Sequence, residues 1–241
     1  MNNFIIKKNI KVILFDSGRV LNAPKTGHWF IPPRFFKYVD LHIYRSISAK
    51  KRYEAFQLAE QYIEEQHLIE SVEQEYVCFT TFYRILADHL PELHLDRSAI
   101  ENVAHDLVYN PDKYVFFPDV KEAVEILCKK YRLGIISDAW PSLENVFEHA
   151  SLRDSFSAFV ISSKLGVFKP NEKMYRAALN ELQVSPADSI FIDDNPKNCI
   201  GAAHLGITPI LLKRNQFDFL FSKMRFGNQF DVVSNLKCLI K

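Results

Sequence analysis

Five short apolar runs recur along this sequence: "IKVILF" (10–15), "RLGIIS" (132–137), "SAFVIS" (157–162), "SIFID" (189–193) and "ITPILL" (207–212). A run that is apolar at nearly every position, rather than at every second one, belongs to a strand covered on both faces, the pattern of a parallel sheet. Helical patterns separate the runs: "DVKEAVEILCKKY" (119–131), "SLENVFEHA" (142–150), "NEKMYRAALNEL" (171–182) and "PKNCIGAAHLG" (196–206). Pro186 and Pro196 stand near element starts, and Gly206 fits a helix C-terminal cap. Strands alternating with helices imply βαβ units, so the expected class is α/β with a doubly wound parallel sheet.

One region breaks the alternation. Residues 23–113 carry no convincing strand, only helical periodicity, chiefly in "SAKKRYEAFQLAEQYIEEQH" (48–67), "SVEQEYVCFTTFYRILADHL" (71–90) and "AIENVAHDLVY" (99–109). The expected organisation is an α/β core from residues 1–22 and 114–241 with a helical cap domain inserted at 23–113, a division that 241 residues accommodate. A block inserted directly after the first strand is expected to form a lid over the carboxyl ends of the strands, where ligands bind in open α/β folds.

Composition narrows the partners. A formal net charge of +1 gives no electrostatic case for nucleic acid or an anionic membrane. No apolar run approaches the ~20 residues needed to span a bilayer. The start "MNNFIIKKNIKVILF" has too short an apolar run, and no small-residue cleavage site, for a leader. Four cysteines, Cys78, Cys128, Cys199 and Cys238, are scattered without a CxxC pair. That pattern favours reduced thiols over a zinc site and predicts a cytoplasmic protein.

Polar residues gather where the apolar runs end. The first run ends at Asp16, the second at Ser137 followed by Asp138, the fourth at Asp193 followed by Asp194, and Lys169 precedes Pro170 in "KLGVFKP". Taken singly, a strand-end Asp is a turn residue, a Ser is an N-cap, and paired Asp before Asn–Pro starts a helix. Together, in one βα series, they make a phosphoryl-transfer set. A carboxylate can attack phosphorus and form an aspartyl-phosphate. Two carboxylates from different strands can hold Mg²⁺, which prefers oxygen ligands and stabilises charge on the transferring group. A hydroxyl and a lysine can bind the remaining phosphate oxygens.

In order and residue type, the motifs "ILFDSG" (13–18), "GIISDA" (134–139), "SSKLGVFKPNEKMY" (162–175) and "FIDDNPKNCIGAAHLGI" (191–207) resemble those of the haloacid dehalogenase superfamily of hydrolases, in its branch with a helical cap after the first strand. The resemblance covers residues 10–21 and 114–213, and the cap is similar only in position and helical character. It implies a Rossmann-like core with Asp16 as nucleophile and metal ligand and the Gly18 carbonyl as a second ligand. It further implies Ser137 and the Asp138 backbone on the phosphoryl oxygens, with Lys169 neutralising the charge that attack creates. Asp194 would be the main metal ligand of the fourth motif and Asp193 its support; Asn198 stands where many members carry another Asp.

Two departures qualify the resemblance. Most phosphatases of the superfamily place a second Asp, the general acid and base, two residues after the nucleophile, where this chain has Gly18. The "Asp-x-Tyr-Gly-Thr" of the dehalogenases is also missing. A sub-branch reading "Asp-x-Gly-x-Val", which includes sugar-phosphate phosphatases, is most similar to Asp16, Gly18 and Val20. The expectation is therefore a Mg²⁺-dependent phosphatase acting on a small phosphorylated metabolite, as a monomer or a dimer. The alternatives are a metal-independent, dehalogenase-like hydrolase, or a binding or regulatory protein that keeps the site and turns over slowly. His28 is the candidate substitute base. In "TGHWFIPPRFF" (26–36), Trp29, Phe30, Phe35 and Phe36 would either wall the site or form cap core.

Overall fold

The computed structural model describes residues 9–240. Residues 1–8 of the N-terminal segment read above as no leader, and residue 241, lie outside the described residues. In chain order the strands are β1 (Val12–Phe15), β2 (Asn22–Pro24), β3 (Tyr114–Phe116), β4 (Arg132–Ser137), β5 (Phe156–Ile161), β6 (Ser189–Asp193), β7 (Thr208–Leu212) and β8 (Asp231–Val233). The helices are α1 (Phe35–Tyr38), α2 (Leu41–Ser46), α3 (Ala49–Glu64), α4 (Val72–His89), α5 (Arg97–Tyr109), α6 (Val120–Leu127), α7 (Leu143–His149), α8 (Ser162–Leu165), α9 (Glu172–Glu181), α10 (Pro196–His204) and α11 (Gln216–Phe226). Among the described residues no helix is long and apolar enough to cross a membrane.

The chain forms two compact units. The first comprises residues 9–23, 116–139 and 147–240; the second, residues 24–115 and 140–146.

The first unit holds a parallel six-stranded sheet in the order β5-β4-β1-β6-β7-β8. All five apolar runs are strands of this sheet. From β1 the chain builds outward through β4 and β5, then returns to the far side of β1 for β6, β7 and β8. The topological switch point, where open α/β sheets form their ligand crevice, therefore lies at the carboxyl end of β1. Every residue of β1 and β6 is buried, which is why these runs show no alternation. Leu14, Ile136, Ala158 and Phe191 on one face pack against Met174, Tyr175 and Ala178 of α9 and Ala202 of α10. Residues alternate across a strand, so Phe15 points to the opposite face and meets Phe156 edge-on at 6.3 Å between ring centroids. Strand β8, only three residues with a mixed burial pattern, carries no apolar run and is not visible to periodicity.

The second unit is helical, as its periodicity implies. Ser48, Ser71 and Asp96 cap α3, α4 and α5, and Ser71 with Gln74 completes a capping box. Phe35, Phe56, Phe79, Phe82, Tyr83 and Leu86 lie in its core. Phe30 packs 4.9 Å from Phe82, and Tyr83 Oη donates to the Phe30 carbonyl at 2.9 Å. Phe30 and Phe35 of the 26–36 stretch are thus core aromatics, whereas Phe36 is 42% exposed.

Residues 140–146 follow the Ser137–Asp138 turn in sequence, and periodicity does not assign them to the helical unit. Their anchorage explains it. Trp140 meets Phe79 at 5.2 Å, and buried Glu75 accepts from the Ser142 backbone N–H at 2.8 Å and from Ser142 Oγ at 2.5 Å. Buried Lys113 donates from Nζ to Ser142 Oγ at 2.5 Å and to the Leu107 carbonyl at 2.8 Å. Burial pushes the Glu75 carboxyl up and the Lys113 ammonium down, each opposed by the charge of the other.

Candidate active site

The site lies within the α/β unit, at the carboxyl ends of its three central strands. Phe15 is in register with Ile135 of β4 and Ile192 of β6, so the residues following these strands emerge side by side. The Asp16 N–H continues the ladder by donating to the Ile192 carbonyl at 2.8 Å. The chain then turns sharply. The Ser17 carbonyl accepts from the N–H groups of Leu21 at 2.8 Å and Asn22 at 3.1 Å, and Arg19 N–H donates to the Asn22 carbonyl at 2.6 Å. Gly18 forms an isolated bridge with Asn22. Arg19 takes a left-handed φ of +60°, a conformation that costs a residue with a Cβ roughly 1 kcal/mol relative to glycine.

Four charged side chains converge. Lys169 Nζ donates to Asp16 Oδ1 at 2.6 Å and to Asp193 Oδ2 at 2.8 Å, and its side chain is 1% exposed. Ligand atoms of Asp16, Asp193 and Asp194 all lie within 4.8 Å of one another. Asp193 is fully engaged: Oδ1 accepts from Asn195 N–H at 2.7 Å, and Oδ2 accepts from Asn198 Nδ2 at 3.0 Å as well as from Lys169. Asp194 is half-buried, and Arg19 Nη1 lies 3.9 Å from its Oδ2.

The electrostatics follow from this crowding. Burial raises the Asp16 carboxyl from 3.8 to about 7, with Lys169 opposing and the charges of Asp193 and Asp194 adding. Burial also raises Asp194, helped by Asp193, against the pull of Lys213, Arg19 and Lys169. For Lys169 burial acts downward, but Asp16, Asp193 and Asp138 outweigh it, so the ammonium is held charged.

Neighbouring elements hold these groups in place. Asp138 Oδ1 accepts from the Lys169 N–H at 2.9 Å, tying the turn after β4 to the lysine loop. Sequence reasoning assigned only the Asp138 backbone a role, and the side chain proves to be the connecting group. Ser137 ends β4 in the strand beside β1, with its side chain buried. Ser162 Oγ accepts from the Ala139 N–H at 3.0 Å, which fixes the exit of the same turn. Asn195 caps α10 by accepting from Lys197 N–H at 3.0 Å while its own N–H holds Asp193. The Asn–Pro start of α10 signals the cap in sequence but not the bond to the carboxylate. A Cβ on Gly201 of α10 would stand 2.6 Å from Pro170 Cβ and 3.2 Å from the Pro170 carbonyl. Glycine there is what lets α10 lie against the residue following Lys169.

The arrangement can present one carboxylate oxygen of Asp16 as a nucleophile while Lys169 holds the other. Asp194, whose oxygens are not engaged as those of Asp193 are, faces the same point. An all-oxygen donor set of this kind suits a hard divalent cation.

A family model described as haloacid dehalogenase-like hydrolase matches residues 10–206. An (S)-2-haloacid dehalogenase of Pseudomonas sp. strain YL is 27% identical over 100 residues, covering 41% of this chain and 43% of that protein. A glyceraldehyde 3-phosphate phosphatase of Pyrococcus abyssi is 28% identical over 114 residues, covering 44% of this chain and 48% of its own. The matched stretch thus spans about half the length of these two relatives. In fold, the chain is similar to a HAD phosphatase from Thermococcus onnurineus, with a TM-score of 0.63 at 20% identity over 95% of this chain and 96% of that one. It is likewise similar to L-2-haloacid dehalogenase from Xanthobacter autotrophicus with chloropropionic acid covalently bound, with a TM-score of 0.60 at 18% identity over 96% and 97%. The family match spans β1 to β6 and their strand-end carboxylates and places the chain in a single superfamily: it belongs to the haloacid dehalogenase-like hydrolases.

Proposed function

We propose that the protein is a Mg²⁺-dependent phosphatase that hydrolyses a small phosphorylated metabolite, a sugar phosphate or similar, through an aspartyl-phosphate on Asp16. One observation carries this reading. Asp16, Asp193 and Asp194 present carboxylate oxygens within 4.8 Å of one another while Lys169 binds Asp16 directly. The residues fit a Mg²⁺ site on the chemistry of their donors, with Asp16, Asp194 and the Gly18 carbonyl as ligands and Asp193 in support. When bound, Mg²⁺ supplies positive charge to the phosphoryl oxygens and favours the ionised form of Asp16.

The chain's own groups do the rest. Asp16 Oδ2 attacks phosphorus and the ester oxygen departs; water then cleaves the acyl phosphate and restores the carboxylate. Lys169 orients Asp16 through Oδ1 and offsets charge on the transferring group. Asp193, held by its three donors, stays in place as the counter-charge that keeps Lys169 protonated. Ser137 and the Asp138 backbone bind phosphoryl oxygens.

A metal-independent, dehalogenase-like hydrolase is the second reading, supported by the direct Lys169–Asp16 contact and by the similarity to haloacid dehalogenases. Slow turnover in a binding or regulatory protein is the third, supported by the absence of a carboxylate at Gly18. Phosphate release from a panel of phosphorylated metabolites, with Mg²⁺ and with EDTA, separates them. Release that needs Mg²⁺ supports the phosphatase; release unchanged by EDTA rejects its metal requirement, and no release from any compound rejects it altogether.

A further inference from the structure

Arg19 is an unexpected residue for its position. Its backbone lies at φ +60°, a conformation suited to glycine, and is locked there by the bonds that Ser17 and Asn22 make around it. The side chain is 69% exposed and stands 3.9 Å from Asp194 Oδ2, beyond hydrogen-bonding distance. Among the described residues its guanidinium donates no hydrogen bond, so all five of its donors are available. Glycine would hold this turn with less backbone strain. What arginine adds is a cation at the rim of a cluster of three carboxylates.

That cation changes which ligands the site can admit. A second anionic group on a phosphate ester bound beside Asp194 would be repelled by that carboxylate. Arg19, with Lys213 also acting on Asp194, offsets part of the negative charge at the edge of the site. A planar guanidinium matches a carboxylate or phosphate with two parallel hydrogen bonds. We propose that Arg19 forms a subsite for a second anionic group, so that the substrate class is a phosphate ester bearing a further carboxylate or phosphate near the scissile bond. This inference rests on the phosphatase reading for its substrate but not for its binding geometry.

Two non-hydrolysable probes of similar length test it: 3-phosphonopropionate, which carries a carboxylate, and propylphosphonate, which does not. Their inhibition of p-nitrophenyl phosphate turnover is measured for wild type, Arg19→Gly and Arg19→Lys. Glycine accepts φ +60° without strain, so Arg19→Gly is expected to melt no lower than wild type. The expected result is that wild type prefers 3-phosphonopropionate by about tenfold, the worth of one exposed charge-assisted contact. Arg19→Gly loses that preference and Arg19→Lys keeps part of it. Equal preference in wild type and Arg19→Gly, or no preference in wild type, overturns the subsite. If wild type releases no phosphate from p-nitrophenyl phosphate, inhibition gives no readout, and the phosphatase reading is decided by the metabolite panel. Calorimetric titration of the same two phosphonates then decides the subsite by the same ratio.

Discussion

Lys169 touches both Asp16 and Asp193, at 2.6 and 2.8 Å, so its removal acts on chemistry and on charge balance together. Lys169→Met is expected to lower kcat by about 10²–10³, the worth of one preorganised donor, roughly 3–4 kcal/mol. Steady-state kinetics on the folded fraction checks this, and a kcat within threefold of wild type would contradict the role. Asp16 supports a second prediction, in stability. Its carboxyl is raised from 3.8 to about 7 in the folded protein without metal. The folded state therefore holds this proton more tightly than the unfolded chain does. Its contribution is fully present below pH ~4 and is lost as pH rises through about 7, with a total on the order of a few kcal/mol. Asp16→Asn removes the titration. Metal-free Asp16→Asn is expected to be more stable than wild type at pH 8 and about equal to it at pH 4, as urea denaturation at both pH values would show. A gap of the same size at both would mean that Asp16 does not titrate in this window. Asp16 was legible because it ends an apolar run in the same βα series as the other strand-end carboxylates, and Lys169 because its "KLGVFKP" loop resembles that of the superfamily. The bonds that the side chains of Asn198 and Asp138 make were not, because a hydrogen bond across 5 or 31 positions leaves no pattern in the chain.

Among the elements, α10 offers the sharpest test. A Cβ at Gly201 meets Pro170 at 2.6 Å, and Pro170 follows Lys169 directly. Gly201→Ala should cost about 1–3 kcal/mol through overpacking and, by shifting the Lys169 loop, lower kcat as well. Gly206, at φ +86° just beyond the same helix, supplies the control. Gly206→Ala should cost about 1 kcal/mol through its backbone alone, with kcat unchanged. Denaturation midpoints and kcat for the pair separate the two mechanisms, and equal kcat losses would remove the link between α10 and Lys169. At this scale the sequence was informative wherever burial was uniform: β6 was read with its observed limits, and α3, α4 and α5 follow their helical periodicity. It was uninformative where an element is short or its partners are remote. The three-residue β2 and β3 pair with each other across some ninety positions, and neither has enough residues to show a period. Residues 140–146 follow Ala139 without a break in composition, and contacts with Phe79, Glu75 and Lys113, distant in sequence, draw them into the helical unit.

For the whole molecule, the proposed phosphatase reading must explain how a site without a carboxylate at Gly18 delivers a proton to the departing oxygen. General acid–base help is typically worth ~10²–10⁴-fold. His28, the substitute considered from sequence, belongs to the helical unit, where its Nδ1 accepts from the Phe30 N–H at 3.2 Å. Burial holds its pKa below the ordinary value, so the ring is neutral at pH 7 and its proton resides on Nε2. An imidazole whose basic nitrogen is occupied and whose free nitrogen is already protonated is poorly placed to act as a base. On the proposed phosphatase reading, a leaving group that departs without help, such as a sugar anomeric hydroxyl or an acyl group, needs no proton donor. A site of this kind should discriminate by leaving-group basicity. Across a series of phosphomonoesters, kcat/KM for wild type is expected to fall steeply as the leaving-group pKa rises, because charge accumulates on the departing oxygen with no proton to neutralise it. His28→Gln is expected to show the same slope, shifted at most by a constant factor through its contact with Phe56, whose ring centroid lies 4.9 Å away. A shallow slope in wild type that steepens in His28→Gln would restore the histidine to the mechanism. A shallow slope in both proteins would mean that another group supplies the proton, and that Gly18 does not limit which esters the enzyme can cleave.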